Sequence, residues 1–402
     1  MIAVSALWSL FRYRGTSSPD LMATWLAGHF YGLGQFDQVY PSDLSFYTMN
    51  APSGWWPYLQ SLGYSDSVFP FIYPPIWAAM MAQIARLISF DQLQFAVQIV
   101  NPVLLGLTIV LAARIIRTRI PAWAFLAIGL AILHFTLFGI AALAEDQPQI
   151  LVSFLIILGI ERQVSGRPWQ AGAVMALAAA IKLYPLFFAL IWVLRRQYKP
   201  ALVFVLVGGI LAATSVAVAG WPLHQAFLNE VRVIGATAFS NKFVFSIDPM
   251  IARIFMPDQL TFIPATGDVR IGWEGMEKTA LWRWASLAAL LISVFACARI
   301  RSPMAWPILA VLIGLFSPLS WGYHYITAVA FAPALLSILG HRAGILVLLA
   351  IFMPFSEAGY GLVSALSSDE PWLPTVGTIA MAALGLAFGA GVLAAKGKKH
   401  PN

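Results

Sequence analysis

Residues 92–142 read QLQFAVQIVNPVLLGLTIVLAARIIRTRIPAWAFLAIGLAILHFTLFGIAA. Two apolar runs, 92–116 and 121–142, flank a short turn that carries Arg114, Arg117 and Arg119. A helix rises about 1.5 Å per residue, so about 20 apolar residues cross a hydrocarbon core of ~30 Å. Both runs reach that length, and the arginines between them mark one side of a bilayer. The pattern continues along the chain. Long apolar runs recur at 201–219, 280–298, 323–339 and 376–395, and shorter ones near 148–160, 169–181, 184–194, 304–317 and 343–355. Each is expected to be helical, because lipid offers the backbone no hydrogen-bond partners. Period-2 alternation, the mark of a barrel strand, is not expected anywhere. The chain therefore reads as an all-α polytopic membrane protein, one domain over residues 1–402, with about 11–12 transmembrane helices.

Composition agrees. Of 402 residues, 60% are apolar and 10% charged, against roughly 45–50% and about 25% in soluble domains, and mean hydropathy is +0.79. That balance excludes a soluble enzyme, a disordered chain and a nucleic-acid binder, despite a pI near 9.6. The single cysteine, Cys297, excludes a disulfide framework, and six scattered histidines show no metal-binding spacing. No metal and no cofactor are expected.

The basic excess sets topology. Arg162 with Arg167, Arg195 with Arg196 and Lys199, Arg299 with Arg301, Arg342, and the tail residues Lys396, Lys398 and Lys399 join the first arginine turn on one side if the runs alternate. That side is expected to be cytoplasmic, with the C-terminus on it, in a bacterial-type plasma membrane. Arg167 and Arg195 then lie on the same side, so 169–194 must be two short arms meeting at an outward bend around Lys182, Tyr184 and Pro185, below the outer surface. The opposite face receives a first long segment, 12–91, carrying interfacial helices, a second, 220–279, and the stretch 356–375. Residues 74–88 open on Pro-Pro and are too short to span, so they are expected to lie in the outer interface. Met1–Phe11 is apolar but also short and lacks the features of a removable signal peptide; the first span is either irregular or begins upstream of Met1.

Chemistry gathers on the outer face. Ser18-Pro19-Asp20 is a good helix start, with Ser as N-cap, Pro at the first position and an acid favoured by the dipole. The residues alone leave Asp20 open between that role and a base held at the membrane surface; Asp37 is another acid on the same face. Lys182, deep in an apolar context, is either a functional cation or the partner of Glu145 or Asp146. Gln147 either orients a sugar hydroxyl or caps a helix, and His324 is either an interfacial histidine or an anion ligand. Trp55, Trp56 and Tyr58 are either interfacial anchors or a sugar-stacking surface.

Taken in order, Asp20, Ala27-Gly28, Val39-Tyr40 and Phe71-Ile72-Tyr73-Pro74-Pro75 resemble glycosyltransferase family 87, the polyprenol-phosphate-mannose-dependent branch of the GT-C superfamily. Asp146-Gln147 resembles its outer Gly-Gln motif with Asp in place of Gly. Ala171-Gly172 with Ile181-Lys182-Leu183-Tyr184-Pro185 resembles its Lys-x-x-Pro signature, and Ser317-Pro318-Leu319-Ser320-Trp321-Gly322-Tyr323-His324 its Ser-Pro-x-Ser-Trp-x-x-His signature. The resemblance covers about residues 18–340. It implies a GT-C fold with an extracytoplasmic active site. It also implies transfer of a sugar, mannose or a related hexose or pentose, from a polyprenyl-phosphate donor to a glycan or glycolipid hydroxyl, with inversion. By motif, Asp20 is the base, and Lys182, His324, Gln147 and Tyr73 bind the donor phosphate or sugar. Asp146, Asn241 and Lys242 are weaker members of the set. The competing reading is a secondary transporter or lipid-linked-sugar flippase with a discontinuous-helix site around Lys182.

Overall fold

The computed structural model describes residues 1–40, 51–66, 68–265, 268–366 and 372–397; Lys398, Lys399 and parts of the outer segments lie outside them. Helices run in the order α1 (Ile2–Tyr13), α2 (Pro19–Gly32), α3 (Trp56–Ser61), α4 (Pro75–Leu87), α5 (Phe90–Ile116), α6 (Ala122–Phe135), α7 (Leu137–Ala144), α8 (Gln149–Val164), α9 (Pro168–Ile181), α10 (Leu186–Leu194), α11 (Tyr198–Ala219), α12 (Trp221–Ala236) and α13 (Ile247–Phe255). They continue as α14 (Ala280–Arg299), α15 (Ala305–Phe316), α16 (Ile326–Val329), α17 (Leu335–Ile338), α18 (His341–Phe352), α19 (Glu357–Leu366) and α20 (Trp372–Gly397). The protein is a polytopic helical membrane protein. Among the described residues, α5, α11, α14 and Leu373–Leu393 of α20 are long and apolar enough to cross a membrane, and α7 with α8 makes a fifth candidate bent by 119°. Further short apolar helices, α1, α6, α9 and α15 among them, fill the bundle.

Proline places the breaks. In a continuous helix its ring strikes the carbonyl four residues back and it offers no N–H. α7 ends at Ala144, four before Pro148; α9 ends at Ile181, four before Pro185; and α16 ends at Val329, four before Pro333. The last case corrects an expectation. The run 323–339 is not a spanning helix but a chain of short turns, and every residue from Tyr325 to Leu336 is buried. Its apolarity reflects the centre of the protein, not contact with lipid. Pro102 is tolerated inside α5, which is packed between α1 and α8.

The two arms of 168–194 are as expected. Gly172 of α9 approaches Pro200 and Val203 of α11 so closely that a Cβ would lie 2.4 Å from the Pro200 carbonyl, and Gly208 lies over Ala176. The two helices therefore run parallel, and α10 returns to the level where α11 begins. Arg195 then donates to the carbonyls of Cys297 and Ala298, both at 3.1 Å, closing the end of α14. Arg114 lies 3.8 Å from Glu161 at the end of α8. The arginine turns thus share one end of the bundle, and the bend at Lys182 lies some 20 Å along α9 from that end. Gly28 of α2 meets Met81 of α4 with equal closeness, 2.7 Å to a built Cβ. Both Ala-Gly motifs are thus seams between helices.

Strands were not expected. Within 220–279, β1 (Thr237–Ser240), β2 (Thr261–Ala265) and β3 (Asp268–Glu277) form an antiparallel sheet ordered β1-β3-β2. Val269, Ile271 and Trp273 alternate with polar or small residues, a period-2 signal that the surrounding apolar runs overshadow. A buried Lys278–Asp248 pair at 2.7 Å ties the sheet to α13, and Trp282 Nε1 and Ser286 Oγ complete the Asp248 carboxylate from α14.

Candidate functional site

At the end of the bundle opposite the arginine turns lies a cavity of about 1020 Å³. It is lined by Asp20, Tyr73, Glu145, Gln147, Lys182 and His324, and beyond them by Asn241 and Lys242. The proline breaks deliver two of these: Glu145 ends α7 and Lys182 ends α9, where a cation also meets the helix's partial negative charge. Asp20 sits in the first turn of α2. His324 follows the Ser-Pro-x-Ser-Trp stretch, which is laced to residues 243–245 by Phe245 N–H to the Ser320 carbonyl and Gly322 N–H to the Phe243 carbonyl, both 2.8 Å.

Two tyrosines frame the lysine. Its Nζ lies 5.5 Å from the ring centres of both Tyr73 and Tyr323. Gln147 joins them, accepting from the Tyr73 hydroxyl at 3.3 Å and donating to the Tyr323 oxygen at 3.0 Å. Lys182 forms no salt bridge with Glu145 or Asp146; its polar contact is His324 Nε2 at 3.1 Å. That contact is informative. His324 Nδ1 accepts the Trp321 backbone N–H at 3.1 Å, so a neutral ring carries its proton on Nε2. An imidazole N–H and an ammonium then face each other, two donors with no acceptor between them. An anion placed beside both relieves the conflict.

Across the cavity, Asp20 is hydrogen-bonded to Glu145 and Gln147. Burial raises its pKa above the ordinary value, while the Glu145 hydrogen bond, the Lys182 charge and the Gln147 amide pull it back. Burial, and then the Asp20 charge, push the Glu145 pKa well above its ordinary value, which favours Glu145 as the proton holder and Asp20 as the carboxylate. The sequence reading left Glu145 out of the site; its signal was adjacency to Gln147 just before Pro148.

Ser18 holds the N-cap position but makes no capping bond. Its hydroxyl donates instead to Asp146 Oδ2 at 2.7 Å and accepts from Gln94 at 2.6 Å. Asp146 is therefore turned away from the cavity and is 1% exposed. Its backbone is left-handed, φ 50°, and Gln147 N–H reaches back to the Ala142 carbonyl at 2.9 Å. This is the helix-ending turn that glycine favours, which explains how Asp stands where the resemblance expects Gly. Asp146→Gly relieves the left-handed strain and loses one hydrogen bond, each about 1 kcal/mol. Asp146→Ala loses the bond and keeps the strain. In thermal unfolding, the Gly variant is expected to be more stable than Ala by about 1 kcal/mol; equal stability would sink this account of the turn.

Asp37 is exposed on a 3₁₀ turn outside the cavity. Trp55 is wholly buried and donates to the Gln38 carbonyl at 2.8 Å, and Tyr58 stacks on His29. The cavity's aromatics are others, Tyr73, Trp273, Trp321 and Tyr323 among them. A second, apolar groove of about 220 Å³ meets the cavity at Lys182 and His324 and runs past Phe188, Phe227 and Ile313. Among the described residues, no cluster of three or more His, Cys, Asp or Glu is placed to hold a metal.

The profile described as Glycosyltransferase family 87 matches residues 71–318. The matched region contains Tyr73, Glu145, Gln147 and Lys182, while Asp20 and His324 lie outside it. Among curated proteins, the chain is similar to two mycobacterial proteins, each named polyprenol-phosphate-mannose-dependent alpha-(1-2)-phosphatidylinositol mannoside mannosyltransferase. It is 26% identical over 282 residues to that of Mycobacterium tuberculosis, covering 64% of this chain and 60% of the relative. It is 28% identical over 288 residues to that of Mycolicibacterium smegmatis, covering 64% and 59%. The match thus spans about three fifths of the relatives' length. With well over half of its own length inside the family profile, the chain belongs to glycosyltransferase family 87.

Proposed function

We propose that the protein transfers mannose, or a closely related sugar, from polyprenyl phosphate to a hydroxyl of a glycolipid or glycan. Transfer takes place on the extracytoplasmic face and inverts the anomeric centre. The observation that carries this is the pair of facing donors on Lys182 and His324, set in one cavity with the Asp20 carboxylate. The polyprenyl chain lies in the apolar groove, which brings its phosphate to Lys182 and His324 and its sugar into the cavity. The acceptor hydroxyl gives its proton to Asp20 as its oxygen bonds to the anomeric carbon, and the bond from that carbon to the phosphate oxygen breaks. The departing phosphate keeps the electron pair and is held by the two cationic-side donors. Glu145 and Gln147 keep Asp20 aimed. The names of the mycobacterial relatives support mannose and a glycolipid acceptor.

The arginine turns at the opposite end support this orientation; a reporter active only in cytoplasm, fused after Asn402, is expected to be active. The deciding assay offers labelled polyprenyl-phosphate-mannose and phosphoinositol glycolipids to proteoliposomes holding the protein. A labelled glycolipid of inverted configuration is expected. No transfer, with labelled lipid or solute instead crossing the bilayer, would establish the transporter or flippase reading.

A further inference from the structure

Asp20, Glu145, Lys182 and His324 line one part of the cavity. Its far wall is aromatic and belongs to the sheet: Trp273 and Glu274 of β3, with Arg253 of α13 and Trp321. An unbroken run of rings joins the two parts. Tyr323 stacks on Trp321 at 6.3 Å, Trp321 meets Trp273 edge-on at 6.1 Å, and Trp273 leans on Phe239 at 5.6 Å. Beside Trp273, the Arg253 guanidinium is paired with Glu274, and the same Nη2 reaches Ser240 Oγ at 3.4 Å. The pair is neutral overall and only partly covered, with 17% of the arginine side chain and 35% of the glutamate side chain exposed.

We infer that this sheet wall is a second saccharide subsite, which takes a neutral sugar residue of the acceptor and sets its hydroxyl toward Asp20. A pyranose carries apolar C–H faces and a rim of hydroxyls that both donate and accept. Trp273 and Trp321 supply flat apolar walls for the faces. The Arg253–Glu274 pair offers donors and acceptors side by side in fixed geometry for the rim. Because the pair cancels its own charge, it offers the sugar rim hydrogen bonds without adding net charge beside Lys242, whereas Lys182 and His324 are placed to hold an anion. At about 1020 Å³, the cavity is at the upper end of what ordinary ligand pockets span, with space for two sugars between the poles. The sequence hid this subsite because Trp273 and Arg253 sit in a segment without an apolar run and are brought together only by the sheet.

The inference rests on the transferase reading, and the test separates the two. Trp273→Ala is expected to raise the acceptor KM at least tenfold while leaving the donor KM, and the slow release of sugar from donor to water without acceptor, within twofold of wild type. Trp273→Phe keeps a smaller face and is expected to lie between. Glu274→Gln keeps the shape but unbalances the pair, and is expected to raise the acceptor KM alone. In parallel, a neutral manno-oligosaccharide titrated into the purified protein is expected to quench tryptophan fluorescence, and Trp273→Phe is expected to weaken that binding at least threefold. If wild type shows no transfer but binds the oligosaccharide through Trp273, the transferase reading fails and the subsite stands. An unchanged acceptor KM in Trp273→Ala, or an equal loss of acceptor-free donor turnover, overturns the subsite.

Discussion

Asp20→Asn is expected to remove nearly all sugar transfer from a protein that still folds and still binds donor. General-base assistance contributes about 10²–10⁴ in rate, roughly 3–5 kcal/mol of barrier, and an amide cannot supply it. The structural cost is small. Asp20 is not the N-cap; it stands one residue past Pro19 in the first turn, so the lost dipole interaction is worth about 0.3–1 kcal/mol, and the Glu145 proton finds the amide oxygen instead. The wild-type pH profile carries the same signature. Burial is the main cause that raises the Asp20 pKa, and the base works only when ionised. Transfer is therefore present at higher pH and lost as pH falls through the raised pKa, above the ordinary value of about 3.9. Turnover of Asp20→Asn within a few-fold of wild type would remove Asp20 from the role and pass it to Glu145.

Lys182→Ala should lose about 10²–10³ in turnover, the usual cost of deleting one preorganised donor to a developing charge. Lys182→Arg keeps the charge in a different shape and should recover only part. The empty protein is expected to respond in the opposite sense from an ordinary deletion. Because the ammonium faces the His324 N–H, its removal relieves a clash of donors, and Lys182→Ala without ligand should be no less stable than wild type. Added polyprenyl phosphate should raise the Tm of wild type, as any ligand selective for the folded state does, and should barely move that of the variant. A variant that unfolds more readily, yet turns over normally per folded molecule, would show that Lys182 is a structural cation.

Much of this site is written in the sequence by punctuation. Pro148 and Pro185 end helices four residues upstream of themselves, and the residues released just past those ends, Glu145 and Lys182, are the ones that enter the cavity. The arginine turns were equally legible, because charge near a membrane has few places to go. What stayed hidden depends on tertiary contact. The hydroxyl of Ser18 looks like a cap and is spent on Asp146. Residues 323–339 look like a span and are the interior of the bundle, since apolarity alone does not separate a lipid neighbour from a protein one. Trp273 acquires its place only when β3 pairs between β1 and β2.

The brevity of α9 and α10 bears on how the chain enters its membrane. An insertion machinery that partitions segments one at a time accepts α5, α11 and α14 on length and apolarity alone. At about 21 and 14 Å, α9 and α10 cannot rest both ends at the two interfaces. They are held in place by neighbours, α9 between α8 and α11, with Gly172 against Pro200 leaving no space for even a methyl group. Since α11 is synthesised after them, the bend that carries Lys182 reaches its depth only once α11 has arrived. The site is therefore a late product of biogenesis, completed when the scaffold around it is already in the bilayer.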